Sequence, residues 1–239
     1  MYIVLTGILC AVFLAWQTRR LSYGAKKRIL ITLAALFPLS ELAKQIILYR
    51  ANGCSFNWWY FPFQLCSMPL YLLPVYCLLP EKYRKMRQTL CDFLVDFGLL
   101  GGFFAFADVS GMHYFHPLLT VHSYLWHFAM IFLGLFLLFS YKTTVRAKDF
   151  LPTGALFLLL TGIATLLNIF LHTKGSINMF YISPYYPMEQ IVFRNIALVT
   201  GQAAGRFLYI GAEMLGAFLI HQSAGRRMSK KSIPFSQTF

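Results

Sequence analysis

Two side chains in this sequence could carry covalent chemistry together, Cys66 and His127. An imidazole beside a thiol takes its proton, and the thiolate then attacks an ester carbonyl to form a thioester. Asn168 or Gln64 could orient that histidine or donate to the oxyanion. The competing reading of the same cysteine, a small packing residue between helices, stays open at this point. Other ionisable groups lie inside apolar runs: Glu41 and Lys44, Asp92 and Asp96, Arg206 and Glu213. Such groups are costly in hydrocarbon and face the interior of a bundle, where they pair or act. They read either as a structural ion-pair network or as a polar cavity for a lipid headgroup or a proton path. Asp92 and Asp96 share a helix face, but Asp92 falls near a membrane interface, which argues against a paired-carboxylate hydrolase. His113, His116, His122 and His127 are spaced 3, 6 and 5 apart. That spacing forms no tight helical ligand set, so a histidine-rich surface without metal is expected over a site completed by Asp108. No cofactor is implied.

The elements that must position these groups are membrane helices. The chain is 58% hydrophobic and only 12% charged over 239 residues, where a soluble domain has about 25% charged residues. Apolar runs of the length that crosses about 30 Å of hydrocarbon recur, and the alternation of a membrane barrel is absent. The sequence predicts an all-α, polytopic helical bundle of seven transmembrane segments: 2–16, 29–48, 61–79, 89–107, 119–139, 150–171 and 191–220. Pro62, Pro69 and Pro74 predict a kinked or partly unwound third segment. Sixteen of the 21 Lys and Arg fall in 19–28, 81–87, 141–148 and 226–231, on one side of that arrangement. The positive-inside rule then places the N-terminus out and the C-terminus in, in a cell membrane.

This reading divides the chain into a transmembrane domain, 1–221, and a basic cytoplasmic tail, 222–239. The net charge of +13 is explained by these loops, so no nucleic-acid partner is expected. The five cysteines form no CxxC pair and no disulfide framework. A signal peptide at 1–17 is disfavoured because the positive charges follow the apolar run. With this topology Cys66, His127, Asn168 and Glu41 fall at overlapping depths, and one cavity near the outer leaflet could hold all four.

Several stretches resemble one family. FPFQLC, 61–66, is similar to a Leu-Pro-Leu-His-Leu-Cys pattern, with Gln64 where histidine is usual. GLLGGFFAFADVSG keeps Gly101, Gly102 and Asp108 of a Gly-Gly…Thr-Pro-Asp pattern. HPLLTVHSYLWHF sets His127 on a Ser-His-Gly histidine, with Trp126 and Phe128 as its flanks. LLNIFLHTKGSINMFYIS supplies Asn168, Asn178, Met179 and Tyr181, and the final segment supplies Glu213. Together, over about 35–220, they resemble the YwaF-like bacterial integral membrane proteins, grouped with the eukaryotic transmembrane protein 164 lipid acyltransferases. The resemblance implies a membrane lipid acyltransferase or acyl hydrolase acting on phospholipids, with Cys66 as nucleophile and His127 as base. Glu41, Gln64, Asn168, Arg206 and Glu213 would then support the site or bind the headgroup. The alternatives are a small-solute transporter or channel using the intramembrane charges, and a non-catalytic partner subunit.

Overall fold

The computed structural model describes residues 2–141, 143–144 and 146–227, with side chains through 223. Lys142 of the 141–148 basic run and residues 228–239 of the expected tail lie outside the described residues. Eight α-helices are present among those described. They are α1 (Tyr2–Thr18), α2 (Tyr23–Ala51), α3 (Met68–Leu78), α4 (Arg84–Phe104), α5 (Pro117–Ser140), α6 (Leu151–Leu171), α7 (Ile191–Thr200) and α8 (Gln202–Arg227).

Among the described residues, four spans are long and apolar enough to cross a bilayer: Tyr23–Ala51, Pro117–Ser140, Ala147–Leu171 and Gln202–Ser223. The expectation of seven crossings is corrected accordingly, and the in–out orientation that rested on it falls with it. The reasons differ by segment. α1 has 17 residues, short of the roughly 20 a span requires. α3 has only 11 residues, which at 1.5 Å each reach about 16 Å. The helix expected from Phe61 begins at Met68, because Pro62 and Pro69 disfavour helix before them. α4 carries Arg84, Lys85, Arg87, Asp92 and Asp96, too many charges for an apolar span. The segment expected over 191–220 is broken at Gly201, whose φ of 91° is left-handed backbone that favours glycine. α8 continues without a break past the domain boundary expected at 221.

α4 is the core of the molecule. Every residue from Leu90 to Leu100 is buried, with α3, α5, α6 and α8 packed around it. An inward-facing helix tolerates charges only where partners meet them, and both aspartates are met. Asp92 accepts from Thr144 Oγ1 at 2.7 Å and Gln88 Nε2 at 3.0 Å. Asp96 accepts from His221 Nδ1 of α8 at 2.9 Å, with both side chains almost wholly buried. α5 approaches α4 closely at Gly134, where a Cβ would lie 2.6 Å from Leu99 Cδ2. Phe97 stacks on Phe157 of α6 at 4.5 Å between centroids. The charged end and the aromatic middle of α4 thus hold the helices that frame the candidate site.

Candidate functional site

Cys66 lies in a 3-10 turn, Leu65–Ser67, that leads into α3. Its carbonyl accepts from Trp126 Nε1 of α5 at 2.9 Å. The Trp126 ring is fixed in turn by Phe37 of α2, edge to face at 4.7 Å. Gly101 of α4 packs alongside, where a Cβ would sit 4.0 Å from Cys66 Cα. The backbone of Cys66 is therefore held between α5 and α4, while its side chain is only half-buried.

Beside it α2 presents a compact polar cluster. Glu41 pairs with Lys44 at 2.9 Å, and both side chains are largely buried. Gln45 donates one amide to Glu41 Oε1 and to Tyr60 O, each at 2.7 Å. Lys44 and Glu41 are the charged neighbours of the Cys66 thiol. Burial pushes the thiol up to about 11; Lys44 opposes that rise and Glu41 adds to it. A thiol in this position is neutral at pH 7 and needs a base to become a nucleophile.

His127 is buried on α5, and its Nδ1–H donates to Ser123 O at 2.7 Å. That bond assigns the lone pair to Nε2, the arrangement of a general base. Lys44 is also an electrostatic neighbour of His127. Cys66 and His127 share no hydrogen bond among the described residues; what joins them is Lys44 and the adjacent Trp126. Phe106 meets the His127 ring at 6.0 Å and stacks on Phe128 at 5.0 Å. Phe128 in turn lines an apolar groove of about 680 Å³ between α1 and α5, with Cys10, Leu14 and Phe132.

The other expected residues are placed as follows. Asn168 is fully buried, and its side chain bonds both the carbonyl and the N–H of Met179 at 3.0 and 2.7 Å. Gln64 donates to Asn178 O at 2.8 Å. Neither amide is bonded to His127. Glu213 of α8 has Tyr209 as its hydroxyl neighbour, and Tyr209 has Cys66 among its electrostatic neighbours. Arg206 stands apart and donates to Tyr186 O at 3.0 Å.

Of the expected site residues, Glu41 neighbours Cys66 directly, His127 and Glu213 are linked to it through Lys44 and Tyr209, Gln64 and Asn168 hold the loop after α6, and Arg206 stands apart. No channel-lining cluster of charges is seen among the described residues. Nor do these hold a metal-binding group of His, Cys, Asp and Glu. His113 bonds Val109 O, His116 accepts from Leu118 N, and Asp108 accepts from Ser110 N, all within their own loop.

A model of one family matches residues 1–217, described as the TMEM164 family. The chain belongs to the TMEM164 family. It is a multi-pass integral membrane protein of that family, consistent with the cell membrane. No curated protein and no solved structure matches the chain.

Sequence reasoning gave no role to Trp126 or Tyr181, which it met only inside the motif stretches, and missed Gln45, Tyr114 and Tyr209. Trp126 had a signal: an indole N–H in an apolar helix needs a partner. Gln45 had one too, four residues after Glu41 on the same face. Tyr114 and Tyr209 had none, because the packing of distant segments decides where they meet.

Proposed function

We propose that this protein transfers or hydrolyses a fatty acyl group of a membrane phospholipid, with Cys66 as nucleophile and His127 as base. The observation that carries the reading is the hydrogen bond from Trp126 Nε1, one residue before His127, to Cys66 O, with Lys44 an electrostatic neighbour of both side chains. Family membership supports it. His127 Nε2 takes the Cys66 proton, and the sulfur bonds to the ester carbonyl carbon, giving a tetrahedral intermediate. Collapse breaks the bond to the glycerol oxygen, which leaves with the proton from His127. A lysophospholipid hydroxyl or water then takes the acyl group off the sulfur by the reverse sequence. Catalytic hydrogen bonds commonly tighten only once substrate is bound, so the lack of a direct Cys66–His127 bond is compatible with this pair.

Lys44 lies where it can meet the phosphate of a headgroup, and Glu41 and Gln45 hold it in place. The groove beside Phe128 gives an acyl chain a lateral route from the bilayer to the vicinity of His127. The test is acyl exchange between an isotope-labelled phosphatidylcholine and a lysophospholipid in nanodiscs. Wild type exchanges label or releases labelled fatty acid. Cys66→Ala and His127→Ala each lose at least about 10²-fold in rate, the scale of a lost base. Equal rates in all three proteins contradict the assignment.

A further inference from the structure

The loop after α6 contains two consecutive residues in the left-handed region, Phe180 at φ 55° and Tyr181 at φ 56°. Neither is glycine, and bulky residues with positive φ persist only where the surroundings over-determine them. The surroundings here do so. Asn168 grips both polar groups of Met179, as a backbone strand would. Asn178 Oδ1 accepts from Ser183 N at 3.0 Å and closes the far side of the loop. Phe180 stacks between Phe63 at 5.9 Å and Phe157 at 6.3 Å. Gln64, two residues before Cys66, ties Asn178 to the cysteine segment at 2.8 Å. Strain held this firmly fixes the position of one side chain, and that side chain is Tyr181.

Tyr181 N–H donates to the same Asn178 carbonyl that Gln64 holds, at 3.3 Å, which ties Tyr181 to the segment two residues before Cys66, and Cys66 is among its electrostatic neighbours. Among the described residues no hydrogen bond reaches the Tyr181 hydroxyl. Tyr209 has Glu213 as its first electrostatic neighbour. Burial also pushes the Tyr181 phenol up, which keeps its O–H in place as a donor.

We infer that Tyr181 is the oxyanion donor of this site, set in place by a strained loop that Asn168 and Gln64 lock beside Cys66. The inference rests on the acyl-transfer reading above. As the thiol sulfur bonds to the ester carbon and its proton passes to His127, the carbonyl π pair moves to oxygen. The Tyr181 O–H donates to that oxygen. When the pair returns, the bond to the glycerol oxygen breaks, the His127 proton leaves with it, and Tyr181 keeps its own proton. Asn168 is a positioning residue that acts through Tyr181.

Two rates measured on the full chain in nanodiscs test this. One is hydroxylamine-labile acylation of Cys66 by phosphatidylcholine; the other is alkylation of Cys66 by iodoacetamide, which builds no oxyanion. Tyr181→Phe is expected to slow acylation about 10²-fold or more, the loss typical of one oxyanion donor, and to leave alkylation at the wild-type rate. Asn168→Ala is expected to slow acylation in the wild-type background but to add nothing in a Tyr181→Phe background, because both changes remove one interaction. Should Asn168→Ala not fold, Tyr181→Phe alone decides. Wild-type acylation with an equal rate in Tyr181→Phe overturns the oxyanion role and leaves the acyl-transfer reading standing. No acylation in wild type, with no change in the lipids, removes both.

Discussion

At the scale of single residues, burial disarms the Cys66 thiol, and on the proposed acyl-transfer reading His127 takes its proton. Its rise to about 11 has a clear sign. Below that value the thiolate fraction grows with pH, so in His127→Ala the alkylation of Cys66 rises about tenfold per pH unit between 7 and 10. A flat profile in that variant, followed by mass spectrometry of the labelled protein, contradicts the placement of the thiol. Lys44 is the second residue-scale case. Lys44→Met leaves the buried Glu41 carboxylate with Gln45 as its remaining partner. Breaking a buried pair from one side costs about 3–5 kcal/mol, and the discount for the partial exposure of Lys44 brings the expectation to about 2–3 kcal/mol. Thermal unfolding in detergent reads this as a lowered midpoint, and Glu41→Gln in the Lys44→Met background restores part of it.

Individual helices pose a different question, namely what keeps them in register around α4. The Asp96–His221 pair ties the far part of α8 to the core through a buried hydrogen bond. Asp96→Ala removes the acceptor from a fully buried imidazole and is expected to cost about 3–5 kcal/mol. An unfolding midpoint unchanged in Asp96→Ala contradicts the clamp. Gly134→Leu is expected to force α4 and α5 apart, since its Cβ alone would meet Leu99 at 2.6 Å. Overpacking of this kind costs about 1–3 kcal/mol. The same change moves Trp126, and with it the carbonyl of Cys66, so activity falls along with stability.

The helices were legible in the sequence to different degrees. α5 and α6 run within a few residues of the expected 119–139 and 150–171, because long apolar runs leave little choice. α3 and α7 were overestimated, because hydropathy does not register the backbone cost of Pro62 or the freedom of Gly201. α4 differs from the expected crossing because its helix starts at Arg84 and takes in five charged residues that the apolar run 89–107 only partly contains.

For the whole molecule, the polar groups sort into two centres on a common core. One holds α8 and the loop after α5 to α4 through Asp92 and Asp96; the other surrounds Cys66. Buried on every side from Leu90 to Leu100, α4 should exchange its amide hydrogens more slowly than α1 or α7, the short helices at the margin. Exchange measured in nanodiscs checks this, and fast exchange across 90–100 contradicts the layout. The motif stretches single out Cys66 and His127 through their resemblance to the family pattern, since a reactive residue type inside an apolar run does not by itself separate Cys66 from the other cysteines. The enclave that links them through Lys44, and the Tyr181 loop, depend on contacts between segments more than 50 residues apart, as between Cys66 and Trp126. No local pattern carries those contacts.

The most direct test of the central claim is the intact mass of the purified protein after incubation with mixed phospholipids. The account predicts an acyl-sized gain on Cys66 that hydroxylamine releases, that slows in His127→Ala and that is absent in Cys66→Ala. A gain that persists in Cys66→Ala, or lipid turnover that continues without Cys66, would contradict it.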